Sequence, residues 1–63
     1  MSLVELERFY SQVEAELARL RLEAAGIESV IFDSSAAYVS SVTGVRLMVD
    51  EYDESRARRV LKE

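Results

Sequence analysis

Ser11 to Ile27 reads SQVEAELARLRLEAAGI, and both of its ends carry signals that bound a helix. Ser11 and Glu14 have the S-x-x-E spacing of a capping box, in which the hydroxyl accepts one orphan backbone N–H and the carboxylate reaches back to another. At the other end Gly26 stands where a residue with positive φ is wanted. Ile27 follows it at the position where a Schellman ending lays an apolar side chain on Leu22. The stretch is therefore read as one helix beginning after Ser11, with Leu22 turned toward the body of the protein.

Projected at about 100° per residue, this helix carries two apolar stripes on opposite sides. Val13, Leu17, Leu20 and Ala24 form one, and Ala15, Ala18, Leu22 and Ala25 the other. Glu14 and Arg21 separate them on one flank; Gln12, Glu16, Arg19 and Glu23 separate them on the other. A helix lying on a sheet needs a single stripe. The alanine-rich stripe suits close packing, whereas Val13, Leu17 and Leu20 each forfeit about 1.5–3 kcal/mol if left in water. A second copy of the chain is the expected cover, in a homo-oligomer, most simply a dimer, with Val13, Leu17, Leu20 and Ala24 as its contact residues.

Outward from the helix, Leu3 to Tyr10 (LVELERFY) partly alternates, with Val4 and Leu6 on one side and Glu5 and Glu7 on the other, and reads as a first strand. Glu28 to Asp33 (ESVIFD) is a second strand and Val45 to Val49 (VRLMV) a third. Asp53 is placed to cap a final helix, Glu54 to Lys62, whose Ala57, Val60 and Leu61 are spaced to face a sheet. The order β-α-β-β-α predicts an α+β ferredoxin-like unit, a three-stranded sheet with strand three between the other two and both helices on one face. Strand one would be an unpaired edge blunted by Glu5, Glu7 and Arg8. Ser34 to Gly44 is either a loop or part of an extra β-ribbon over residues 38–49, turning at Thr43-Gly44.

With 63 residues the chain allows one domain, 1–63, burying about 60% of the surface its unfolded form exposes. It has no Cys and no His, so disulfides, thiolate metal sites and the usual general base are missing. No cofactor and no metal is expected. No apolar run is long enough to span a membrane and no leader is recognisable, which points to a cytoplasmic protein. The net charge of −4 argues against a nucleic-acid partner.

Two clusters could carry chemistry. Asp50, Glu51, Asp53 and Glu54 offer oxygen ligands, but their place at a helix start favours the role of dipole-complementing carboxylates. Arg56, Arg58, Arg59 and Lys62 offer a basic face, read as solvated side chains complementing the helix C-terminus. Ser34, Ser35, Ser40 and Ser41 lack both a histidine base and a G-x-S-x-G setting. Catalysis is not expected.

The framework F-Y-S-Q-V-E-A-E-L-A (Phe9–Ala18), L-E-A-A-G-I (Leu22–Ile27), Asp33 closing a strand, G-V-R-L-M-V (Gly44–Val49) and an acidic start to A-R-R-V-L resembles a small bacterial family. It is a family of unknown function described as "putative prokaryotic signal transducing protein". The resemblance implies a ferredoxin-like, PII-like βαββα fold. Gln12 and Asp50 stand where members often have proline. Nucleotide binding is not implied, because the PII loops and last strand have no counterpart here. A non-enzymatic signalling or protein-interaction module is the leading expectation. The second is a small-ligand sensor binding through the 33–44 loop, with Asp33 and Tyr38 as its candidate residues.

Overall fold

The computed structural model describes residues 2–33 and 44–63. Its elements are β1 (Leu3–Phe9), α1 (Gln12–Ala24), β2 (Ser29–Asp33), β3 (Val45–Asp50), a 3-10 turn at Glu51–Asp53 and α2 (Glu54–Lys62). The sheet order is β1-β3-β2, and β3 runs antiparallel to both neighbours. This is the expected α+β ferredoxin-like arrangement, with strand three in the middle. The alternatives of a loop or a β-ribbon after β2 fall on residues 34–43, which lie outside the described residues.

Both ends of α1 follow from local chemistry. Ser11 Oγ accepts the N–H groups of Val13 and Glu14, at 3.1 and 3.4 Å. Gly26 takes φ +80°, Ile27 N–H donates to the Leu22 carbonyl at 2.8 Å and Gly26 N–H to that of Glu23 at 2.9 Å. These are the two bonds of a Schellman ending, and they bring Ile27 back over Leu22. Both side chains are then fully buried, with Leu47 and Val49 of β3. Ala15 and Ala18 are buried on the same side, so the small-residue stripe is the one on the sheet. Ala25, assigned to that stripe, is exposed because the helix ends before it and the chain turns away.

On β3 the alternation is strict. Val45, Leu47 and Val49 face the helices, and Arg46, Met48 and Asp50 lie on the other side, half-buried. α2 completes the core with Ala57, fully buried, and with Val60 and Leu61 packed at its margin. An alanine at the contact lets the short helix approach the sheet closely.

In β1 the expected alternation breaks. Glu5 is opposite Met48 and Glu7 opposite Leu47, so Leu6 is an extra residue, a β-bulge. Val4 and Leu6 face the core as expected, but beyond the bulge the phase inverts. Glu7 and Phe9 stand on the helix side, and Arg8 joins Glu5 on the open side. The bulge places Leu6 in the core at 4% exposure. Its carbonyl accepts from Arg58 Nη1 of α2 at 3.1 Å, while Glu54 holds the same guanidinium at 2.9 Å. Arg58, expected as a solvated residue, thus ties α2 to the irregular point of β1.

Charged donors on bulged carbonyls are worth more than ordinary surface pairs. With Arg58 half exposed, Arg58→Ala should lower stability by about 1 kcal/mol, or roughly 4–8 °C in Tm for a domain of this size. Arg56→Ala, which removes only the exposed pair with Asp53, should cost well under half as much. Equal losses in thermal unfolding followed by circular dichroism would contradict this role of Arg58.

Candidate interaction site

The outer stripe of α1 lies where the wheel places it. Val13, Leu17 and Leu20 are 68%, 58% and 45% exposed, and Ala24 is exposed beside them. The opposite stripe is the buried one, so the two faces are assigned as the capping signals imply. Three large apolar side chains thus project from one helix face among the described residues.

The flanks of that stripe differ. On the α2 side, Arg21 Nη2 donates to the carbonyls of Val60 and Glu63, at 2.9 and 2.6 Å, and so closes α1 onto the end of α2. Beside this clamp runs a groove lined by Phe9, Leu17 and Leu61, with Glu7, Glu14 and Arg21 among its polar members. The inverted phase of β1 puts Phe9 and Glu7 there. Leu17 belongs to both the stripe and the groove, which makes them one continuous surface. On the other flank Arg19 Nε donates to Glu16 Oε1 at 2.7 Å, a bond that raises the guanidinium pKa above its ordinary value.

The open face of the sheet is a second exposed apolar region, and the sequence reading did not single it out. Leu3, Val30 and Phe32 are 47%, 41% and 41% exposed there, around the half-buried Met48. Glu5 pairs with Arg8 at 3.2 Å and approaches Arg46 at 4.0 Å across the strands. The stem of Arg8 lies over Gly44, where a β-carbon would come within 2.9 Å of it. The signal was present in Val30-Ile31-Phe32. With both helices on one face, a run of three apolar strand residues must turn at least one outward, and with Ile31 opposite the core-facing Leu47 it is Val30 and Phe32 that turn out.

The acidic and basic clusters resolve into helix-end chemistry. Asp50 Oδ1 accepts the Tyr52 N–H at 2.9 Å, capping the 3-10 turn. Asp53, the expected cap of the last helix, makes no side-chain cap bond and instead pairs with Arg56 at 3.1 Å. The 3-10 turn intervenes and moves the capping role three residues earlier. Glu54 pairs with Arg58. Among the described residues no group of acids is arranged to hold a metal ion, and no helix is long and apolar enough to cross a membrane. Asp33 ends β2 as expected, whereas Tyr38 and the four loop serines lie outside the described residues.

Compared with known families, residues 3–63 match one described as "Putative prokaryotic signal transducing protein". None of the curated proteins and none of the solved structures matches the chain.

Proposed function

The chain belongs to this family, and from that premise we propose that it is a non-enzymatic signalling or interaction module working as a homo-oligomer. The self-contact in this reading is the outer stripe of α1, formed by Val13, Leu17, Leu20 and Ala24, with the Leu17 groove beside it. A single observation carries it: three large side chains stay exposed on one face of a helix whose other face is fully used by the core. Contiguous apolar patches of that kind on small domains mark contact surfaces. A domain of this size seldom gains more than about 3–5 kcal/mol from one core, so burying the stripe against its own copy supplies stability that the monomer lacks.

The family description is of signal transduction and names no reaction. A binding role is supported by the use of Asp50 as a cap and of Asp53 and Glu54 as ion-pair partners of Arg56 and Arg58. The test is the pair of substitutions Leu17→Glu and Leu20→Glu in one chain. Association weakened with the fold retained supports the proposal; association unchanged overturns it.

A further inference from the structure

The sheet has two outer edges, and the chain treats them differently. β1 is disrupted by its bulge, carries Glu5, Glu7 and Arg8, and has its irregular carbonyl occupied by Arg58. Each of these devices discourages another strand from pairing with it. β2 has none of them. Its five residues, SVIFD, pair with β3 in unbroken register. They include no proline and no charge before Asp33. Among the described residues nothing is hydrogen-bonded to its outer side.

We propose that the outer edge of β2 pairs with β2 of a second copy, antiparallel, about a two-fold axis at Ile31, making one continuous six-stranded sheet. This contact is separate from the α1 stripe and does not rest on it. A two-fold axis perpendicular to the sheet keeps the helices of both copies on one face and necessarily makes the paired strands antiparallel. Centring it on Ile31 sets Val30 opposite the second copy's Phe32 and Phe32 opposite its Val30. Both residues are 41% exposed on the open face, so the register repeats an aromatic–β-branched pair twice, a favoured cross-strand combination.

The occupant is argued from charge as well as shape. Arg19 and Glu23 of α1 line a cleft with Gly26 to Val30, which places that helix flank over this edge. The flank carries Glu16, Arg19 and Glu23, a mixed set. The same two-fold axis brings two such flanks toward each other, where Arg19 of each copy meets acids of the other. A second copy therefore satisfies both the strand and the helix beside it. An extended segment of a foreign chain would satisfy only the strand.

The chain has no cysteine, so introduced thiols report the register alone. Val30→Cys and Phe32→Cys are made as separate proteins, and their circular dichroism is checked against the parent. They are then oxidised singly and as an equal mixture. Directly opposed positions lie within disulfide reach, whereas each thiol and its own symmetry mate sit on a diagonal too long for one. The mixture should yield the 30–32 disulfide well above the statistical share, and each protein alone should yield little. No disulfide, or a mixed product no more abundant than random pairing gives, would overturn the proposal. The same experiment repeated with Leu17→Glu and Leu20→Glu in both proteins should leave the 30–32 product in place. Its disappearance there would show that the edge contact depends on the helix contact and would overturn the inference as stated. Its persistence alongside unchanged overall association would fault the α1 reading alone.

Discussion

Leu22→Glu should give a chain with no cooperative thermal transition and a far-ultraviolet spectrum that has lost most of its helix. Leu22 is fully buried and sits against Ile27, Leu47 and Val49, at the meeting of the α1 ending and the middle strand. Among the described residues the core holds no buried charged residue that could pair with a carboxylate there. Burying an unpaired charge costs several kcal/mol, comparable with everything a domain this small has to lose. The same residue is also C3 of the Schellman ending, so the substitution removes the apolar contact that fixes where the helix stops. A Leu22→Glu protein that unfolds with the parent's midpoint would mean that the core lies elsewhere.

The double substitution Leu17→Glu and Leu20→Glu should act in the opposite way. Both side chains are about half exposed, so the charges enter water and the fold is kept. What is lost is the contact through α1: the protein should sediment at about half the parent's mass, with a lower Tm that rises less steeply with concentration, as linkage requires when one of two contacts is removed. Were the double variant unfolded and Leu22→Glu folded with altered association, the two faces of α1 would be the wrong way round. Both folded with unchanged association would end the two-face argument.

How much of this is legible in the residues differs from one element to the next. Helix α1 is read almost completely, because Ser11, Gly26 and Ile27 act locally and their geometry needs no partner. The order of the strands follows from the βαββα pattern and was reached in the same way. The bulge in β1 was not, since nothing in LVELERF distinguishes an extra residue from continued alternation. Leu6 is pulled into the core by its neighbours and Arg58 arrives at its carbonyl from 52 residues away. For the same reason Arg58 looked like one more cation in a basic run, and Asp53 looked like a cap until the 3-10 turn moved that task to Asp50. Local signals predict what they themselves cause; contacts made across the fold stay hidden in them. The outer stripe of α1 is intermediate, because its periodicity is visible in the sequence while its exposure depends on α2 being too far to the side to cover it.

The central claim is that this stripe is a contact between copies, and sedimentation equilibrium of the unmodified 63-residue chain beside the Leu17→Glu, Leu20→Glu variant, over a concentration series, tests it most directly, the variant giving the smaller mass. A chain of 7.1 kDa that self-associates should give an average mass that climbs with concentration to at least twice that value. A mass fixed at 7.1 kDa throughout, with the far-ultraviolet spectrum of a folded protein, would contradict it.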